Sequence, residues 1–516
     1  MKHQEDFFIF LLRKRLKYVF LPRLKIFYSQ TQHRKMSQNE AYEKELAFQA
    51  DRRKATVEFI KIVSDLWYDK SIELVLFRNQ LIDKNVSEIL NLHEYAAKFV
   101  QKPISIFDSV EIAKAIQTLD LPPAKLDIGK LTYEYQLEDA KHNATAFVST
   151  KLSKAKSYKN IDPKDVVLYG FGRIGRLLAR ELMTKTGKGS QLRLRAIVTR
   201  GKVDATVLEK RASLLQSDSV HSDFSGTVSI DEKKNALIIN GTTVHIISAN
   251  QPEDIDYTKY GINDALIIDN TGAFRDEEAL KRHLKAKGAS KVLLTAPGKG
   301  IPNIVHGVNH KDHDPDKVSI FSAASCTTNA ITPILKAVED SLGVQHGHLE
   351  TIHAYTNDQN LVDNMHSKYR RGRAAALNMV ITETGAGKAV AKALPVLEGK
   401  LTSNAIRVPV PNGSLAILNL NLKKSISVSG LNTIIKKYAL EGNLVEQIKY
   451  SIDNELVSSD IIGSSAPSIY DSNATIVTED GKNAILYIWY DNEYGYSHQV
   501  IRLAKYIAKV RRFTYY

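Results

Sequence analysis

Cysteine is almost absent: the 516 residues include one, Cys326. An intramolecular disulfide is therefore excluded, and the chain fits a reducing compartment, so a cytoplasmic location is expected. The apolar run Phe7 to Leu12 falls far below the roughly 20 residues that cross a bilayer. It also follows Glu5 and Asp6 and is interrupted by Arg13 to Lys17, which makes a poor signal peptide. No membrane association is expected from a spanning segment. There is no internal repeat and no long low-complexity stretch, and residues 36 to about 158 carry no catalytic constellation.

Acidic charge is scarce at the start. The formal net charge is +14, and residues 1–35 hold nine Lys or Arg against two acids, which is half the excess. Such a leader suits a basic membrane-surface or nucleic-acid arm. The preferred reading is instead that translation starts at Met36, where a mixed-charge helical pattern begins. No aromatic-basic nucleic-acid motif accompanies the charge, so nucleic acid is not an expected partner.

What is present is ordinary globular composition, 43% hydrophobic and 25% charged, with length for two to four domains. Residues 36 to about 158 read as mostly helical, through Val57 to Trp67, Leu74 to Leu92 and Val110 to Leu119. Pro122-Pro123 breaks the last helix, and Ser149 to Asp162 is polar and lysine-rich enough for a linker. From Asp165 strands and helices alternate, which predicts an α/β domain.

The first strand there, Val166 to Tyr169, runs into Gly170-Phe171-Gly172-Arg173-Ile174-Gly175. After a strand and before an amphipathic helix, this G-x-G-x-x-G predicts a dinucleotide fold, the glycines allowing a tight turn and close approach of a pyrophosphate to a helix N-terminus. An acidic residue should end the second strand, Leu192 to Val198, to bond the ribose of NAD. It is missing, and Thr199-Arg200 stands there instead. A guanidinium at that place favours a 2′-phosphate.

Cys326 lies in Ser325-Cys326-Thr327-Thr328-Asn329, after a strand-like run and before a helix with apolar residues at Ile331, Ile334, Leu335, Val338 and Leu342. Pro333 is expected in the first helical turn, where it is tolerated. At a helix start the dipole and free N–H groups favour a thiolate. The plain alternative is a buried, inert cysteine; the flanking hydroxyls and Asn329 argue for chemistry.

From about Asp165 onward the chain resembles the glyceraldehyde-3-phosphate dehydrogenase family. The motifs that carry this agree in order: Gly170 to Arg176, Ser325 to Asn329, Ile352 to Gln359, Arg370 to Ala375, Thr384-Gly385, Arg407-Val408-Pro409 and Trp489 to His498. The resemblance implies that Cys326 attacks an aldehyde and His353 serves as the base, a thiol giving a thioester that phosphate can cleave and an imidazole having a pKa suited to return the proton. It implies that Thr356, Asp358, Arg371 and Arg407 hold or approach the substrate phosphate, and that Ser325, Thr327, Thr384 and Gly385 form the inorganic-phosphate pocket, with Arg407 shared. For the cofactor it implies Gly170, Gly172, Gly175, Arg173 and Ile174 along the dinucleotide, Thr271 and Thr295 at its middle, Asn492 on the nicotinamide amide and Tyr496 nearby. No metal is implied.

Three departures from the family pattern stand out. Arg200 replaces the acidic residue, and Asn364-Met365 replaces a Leu-Pro that NAD-specific members carry; both relax discrimination against NADP. Ala330 replaces a second cysteine, at no mechanistic cost. The expected organisation is a basic leader at 1–35, a helical extension at 36–158, a Rossmann domain at 159–325 with 492–516, and an α+β catalytic domain at 326–491 with a mostly antiparallel sheet. The expected function is phosphorylating oxidation of D-glyceraldehyde 3-phosphate to 1,3-bisphosphoglycerate, in glycolysis or gluconeogenesis, with NADP or NAD, NADP being accepted, and a homotetrameric assembly. The alternatives are an erythrose-4-phosphate dehydrogenase, or a basic binding protein whose association with nucleic acid would weaken steeply with salt.

Overall fold

Ala265–Asp269 is Val/Leu/Ile-like and buried at every position, the signature of a strand covered on both faces. In the computed structural model it sits inside an eight-stranded sheet. The structure describes residues 38–138, 143–158 and 161–516, so the basic leader and the start at Met36 lie outside the described residues. Residues 1–54 form one contact unit and 55–516 another. The described part of the first is the opening half of the Gln38–Lys70 helix, mostly exposed. All that follows concerns the second.

The eight-stranded sheet runs in the order Ile320–Ser322, Ala289–Leu294, Ala265–Asp269, Lys164–Tyr169, Leu192–Thr199, Thr242–Ser248, Ala236–Ile239, Val228–Asp231. Its first six strands are parallel and the last two add antiparallel. The chain starts in the middle at Lys164–Tyr169, moves outward to Leu192–Thr199, and later returns to the other side at Ala265–Asp269. The topological switch point therefore falls between Lys164–Tyr169 and Ala265–Asp269, where an open α/β sheet binds its ligand beyond the strand ends.

The second large sheet has seven strands: Val380–Thr382, Leu401–Val408, Val344–Ala354, Ser414–Leu422, Asn483–Tyr490, Ser468–Val477, Ile448–Ser451. Four of its six pairings are antiparallel, as expected for the catalytic region. The helices Cys326–Leu342, Ala386–Ala393 and Val428–Leu440 share its hydrophobic core, through Ile331, Val390 and Ile435 among others. Pro333 is eight residues into the Cys326–Leu342 helix, not in its first turn. The helix begins at the cysteine itself, so the proline removes one interior hydrogen bond.

The N-terminal region is helical as expected, but it also holds a four-stranded sheet that the pattern did not announce. Leu74 to Leu92 is not one helix: it contains the strands Glu73–Leu76 and Asn79–Gln80 and then the helix Val86–Tyr95. Ala124–Asp127, just after Pro122-Pro123, pairs in parallel with Glu73–Leu76. The far side of Ala124–Asp127 takes Phe513–Tyr515, from the end of the chain, also in parallel. Residues 492–516 are therefore divided. The Tyr494–Ile507 helix packs into the dinucleotide core through Val500, Leu503 and Ile507, whereas Phe513 belongs to the N-terminal core. The stretch expected as a linker is partly core too, with Leu152 and Ala155 fully buried.

An ion pair closes this sheet onto the body. Arg512 Nη2 lies 2.5 Å from Glu73 Oε2, both side chains 4% exposed or less, and Arg512 Nη1 donates to the Ser71 carbonyl at 3.1 Å. Its guanidinium carbon stands 5.0 Å from the Trp67 ring centroid. Burial alone would raise Glu73, but Lys125 and Arg512 outweigh it and hold the carboxyl well below its ordinary 4.5. A depressed folded-state pKa contributes stability that is complete above about 4.5 and drains as the pH falls toward the folded value. Two results are expected from thermal and urea unfolding. Arg512→Met, which strands a buried carboxylate, costs about 3–5 kcal/mol. Glu73→Gln shows a shallower loss of stability between pH 6 and pH 3 than the parent; an identical slope refutes the pairing.

Candidate active site

Ser325 ends an extended segment, and its hydroxyl accepts the Thr328 N–H at 3.0 Å, which makes it the N-cap and Cys326 the first helical residue. Cys326 is half-buried and packs against both large cores, so the thiol lies at the seam between the two sheets. His353 is the penultimate residue of Val344–Ala354, and its Nε2 is 3.5 Å from Cys326 Sγ. In the adjacent parallel strand the residue in register with His353 is Arg407. The sheet thus sets imidazole and guanidinium side by side.

Partners fix the imidazole tautomer. Nδ1 is 2.7 Å from the Ala354 carbonyl, which can only accept, and 3.2 Å from Arg407 Nη1, which can only donate; the shorter contact assigns the proton to Nδ1 and leaves the Nε2 lone pair to the thiol. Arg407 Nη1 donates to the same carbonyl at 2.8 Å and to Thr356 Oγ1 at 3.4 Å. Burial first, then the Arg407 charge, pushes His353 down to about 3. Burial also pushes the Cys326 thiol up, with Arg407 and Thr327 pulling the other way. Burial thus opposes charge on both the thiol and the imidazole, and Arg407 favours the thiolate while opposing the imidazolium.

Arg407, expected to hold phosphate, has donor capacity to spare. Its Nε is buried with no hydrogen-bond partner, and no carboxylate pairs with it among the described residues. The Arg371 guanidinium adds positive charge beside it. Arg371 is buried, bonded to Asp358, and donates to Thr382 Oγ1 at 3.0 Å. Thr356, Asp358, Arg371 and Arg407 thus come together. In the other proposed pocket, Thr384 Oγ1 accepts the Ala386 N–H at 3.2 Å and Gly385 precedes the Ala386–Ala393 helix. The Thr327 hydroxyl is buried against Tyr490 Oη at 3.0 Å and the Ser325 hydroxyl is engaged in its cap, so both are already bonded within the protein.

The glycine loop fits a dinucleotide. Gly170 has φ +103°, where a side chain is strained and a Cβ would meet Thr271 at 3.0 Å. A Cβ at Gly175 would lie 2.4 Å from the Gly170 carbonyl, so the helix can approach the turn only with glycine there. At Gly172 the Cβ position has nothing within 4 Å, leaving an open face at the N-cap of Arg173–Thr184. Ile174 packs under the loop into the dinucleotide core. Thr271 and Thr295 lie at the ends of neighbouring strands and bond Asp269, through Oδ1 at 2.7 Å and the carbonyl at 3.0 Å. Arg200 is exposed at the end of the second strand and makes no hydrogen bond or ion pair among the described residues. Arg173 departs from its expected place along the dinucleotide: its guanidinium is clamped by Glu493 at 2.5 Å and Asp218 at 3.1 Å, leaving only its backbone for a ligand.

Comparison with known proteins agrees with this geometry. Residues 164–277 match the model for the glyceraldehyde 3-phosphate dehydrogenase NAD binding domain, and residues 325–492 that for the C-terminal domain of the same enzyme. The chain belongs to the glyceraldehyde 3-phosphate dehydrogenase family. It is 49% identical over 457 residues to a glyceraldehyde-3-phosphate dehydrogenase-like protein of Pseudomonas aeruginosa, covering 87% of this chain and 98% of that one. It is 38% identical to glyceraldehyde-3-phosphate dehydrogenase of Clostridium pasteurianum (67% of this chain, 99% of that one) and 40% identical to that of Geobacillus stearothermophilus (66% and 98%). The two family domains need only the last two-thirds of the chain, so the Pseudomonas likeness reaches well into the N-terminal region. As a member of the family the chain is a dehydrogenase with a nicotinamide dinucleotide cofactor.

Two residues to which sequence reasoning gave no role, Ser414 and Tyr490, organise the site. Ser414 Oγ accepts the Ala354 N–H at 3.1 Å and donates to Asn492 Oδ1 at 2.8 Å, tying the base strand to the segment that carries Asn492. Tyr490 is buried with its ring edge-on to His353, centroids 5.9 Å apart, and its hydroxyl holds Thr327. Both come from strands in which inward and outward residues alternate, so a polar residue at an inward position was the available signal. Tyr496 donates to the Ala324 carbonyl at 3.0 Å and anchors the C-terminal helix beside the cysteine segment. His353→Asn, which keeps a polar ring-sized contact but removes the basic nitrogen, is expected to lower kcat about 10²- to 10⁴-fold. It is also expected to slow iodoacetamide alkylation of Cys326 at pH 7 and move its profile to higher pH; unchanged alkylation refutes the proton transfer assigned to Nε2.

Proposed function

We propose that the protein oxidises D-glyceraldehyde 3-phosphate and captures the product with inorganic phosphate as 1,3-bisphosphoglycerate. The observation that carries this is the grouping of a thiol, a basic imidazole nitrogen 3.5 Å from it, and a buried guanidinium with an unpartnered Nε. Cys326 Sγ attacks the aldehyde carbon, the new C–S bond forming as the thiol proton passes to His353 Nε2. His353 passes that proton to the former aldehyde oxygen, completing the hemithioacetal, and takes it back as the C–H bond breaks and the C=O bond of the thioester forms. A nicotinamide held beyond the glycine loop would supply the hydride acceptor. The thioester left on Cys326 is attacked by phosphate, the C–S bond breaks, and the sulfur recovers a proton from His353.

Arg407, with Thr356 and Arg371, is assigned to the substrate phosphate, and Thr384, Gly385 and the Ser325 to Thr327 turn to inorganic phosphate. Guanidinium forks, hydroxyls and backbone N–H groups are the donors such oxyanions require. Arg200, free at the end of the second strand, supports acceptance of NADP beside NAD. The segment from Leu361 to Ile381 supports a homotetramer, because it exposes Met365 at 95%, Tyr369 at 97% and Leu377 at 82%, more apolar surface than a monomer usually leaves in water. No helix among the described residues is long and apolar enough to cross a membrane, and a lone free thiol suits the cytoplasm, where this step serves glycolysis or gluconeogenesis.

Nicotinamide reduction with glyceraldehyde 3-phosphate, with and without phosphate, is expected to be phosphate-dependent and absent in Cys326→Ala. Phosphate-independent turnover, or faster turnover with erythrose 4-phosphate, overturns the substrate assignment. Arg200→Asp is expected to shift the NADP/NAD ratio of kcat/KM toward NAD by at least tenfold; an unchanged ratio removes the 2′-phosphate role.

A further inference from the structure

A polar cavity of about 70 Å³ lies where the N-terminal sheet, the last strand and the Tyr494–Ile507 helix meet. Six cations line it, Lys125, Lys185, Arg502, Lys505, Arg511 and Arg512, against the carboxylates Glu73 and Glu446. Three of the six are neutralised. Arg512 pairs with Glu73, Lys125 lies 3.2 Å from Glu446, and Lys185 pairs with Glu181. The other three are not. Arg502 donates only to the neutral Ser465 carbonyl at 3.1 Å and the Gln499 amide oxygen at 2.9 Å, and the side chains of Lys505 and Arg511 make no hydrogen bond or ion pair among the described residues.

Two imidazoles add to the excess of unmet polarity. His306 and His498, each 4% exposed, line the same cavity, and the Nε2 of each lacks a hydrogen-bond partner; that of His498 stands 3.4 Å from Glu181. Buried polar atoms are normally satisfied, which these two nitrogens are not. Of the three unpaired cations, Arg502 and Lys505 are half-buried and Arg511 is exposed. Burial, followed by the Arg512 charge, pushes the Lys505 amine down to about 7. Water could fill the volume but would bring no negative charge to the cluster.

The small cavity adjoins a larger one. Lys125, Glu446, His498 and Arg502 line both, and the second, partly open to solvent, has a volume of about 570 Å³, within the range of small-molecule sites. Tyr450, Tyr494 and Tyr516 offer it ring faces and edges. None of the residues assigned to catalysis or to the dinucleotide lines either cavity.

We propose that the two chambers form one ligand site, separate from the catalytic cleft, for a small organic phosphate. Its phosphate occupies the small chamber on Arg502, Lys505 and Arg511, and its body lies in the larger chamber against the tyrosines. Walls come from both the N-terminal region and the C-terminal helix, so the ligand bridges the extension to the dehydrogenase body. This assignment does not depend on the reaction proposed above.

Thermal unfolding and calorimetric titration of the full chain test it, with dinucleotide held saturating to close the nucleotide cleft. The probes are inorganic phosphate, pyrophosphate and AMP. Anion binding at the catalytic pockets is common to parent and variant, so their difference reports the new site. Lys505→Met is expected to weaken AMP and pyrophosphate at least tenfold while leaving dinucleotide binding and basal kcat/KM unchanged. Equal affinity in parent and variant overturns the site, and AMP binding no tighter than inorganic phosphate overturns the larger chamber's role. Should Lys505→Met not fold, Arg511→Gln, at an exposed position, must weaken the same ligands at least threefold; unchanged binding there overturns the proposal equally.

Discussion

A guanidinium held beside a neutral imidazole is the arrangement on which the active site depends. Parallel pairing puts Arg407 opposite His353, and both reach the Ala354 carbonyl. Because the carbonyl takes the Nδ1 proton, and burial together with the guanidinium opposes a second one, Nε2 offers its lone pair to the thiol. The same guanidinium is the main charge favouring a thiolate at Cys326. An anion that pairs with Arg407 screens both effects: the imidazole becomes easier to protonate and the thiolate loses part of its support. In the function proposed above, a phosphate-bearing substrate paired with Arg407 would ready His353 to take the thiol proton, and one charge would serve both recognition and the base.

Such coupling requires groups far apart in sequence to share one wall. Cys326 starts a helix that leaves the dinucleotide sheet and packs on the catalytic sheet, and His353 ends the next strand, so both face the seam. Ser414 joins that strand to Asn492, and Tyr496 joins the C-terminal helix to Ala324. The glycine loop opens onto the switch point of the adjoining sheet, with Thr271 against it. These bonds are short and their owners mostly buried, so the geometry is set by rigid elements instead of loops, which suits a reaction sensitive to sub-ångström placement.

Sequence reasoning reached the parts whose signals are local. The turn after Tyr169 needs glycine for reasons visible within six residues, and an N-cap serine before a cysteine marks a helix start. It missed the small sheet for the converse reason. Glu73–Leu76 is four residues long and buried at all four, so it has neither the length nor the alternation of a strand, and its neighbours in the sheet come from Ala124–Asp127 and ultimately from Phe513–Tyr515. The clamp on Arg173 was equally hidden, since Asp218 and Glu493 are acids like any others until folding brings them together. Pro333 was misplaced by one assumption, that the helix starts late enough for its first turn to contain the proline.

Net charge misleads in a related way, because it counts every lysine and arginine as if it stood in water. The excess of +14 invites a polyanion on the outside. Yet Arg512 is buried, Lys125 and Lys505 line an internal cavity, and Arg371 is buried at the substrate pocket. Charge of that kind cannot meet a nucleic-acid backbone, whose attraction needs cations laid along a surface. It is instead held against specific carboxylates or left over where a small anion fits. Arg512, just before the last strand, meets Glu73 of the N-terminal sheet, so the pair that closes the fold also neutralises one of the cavity's cations.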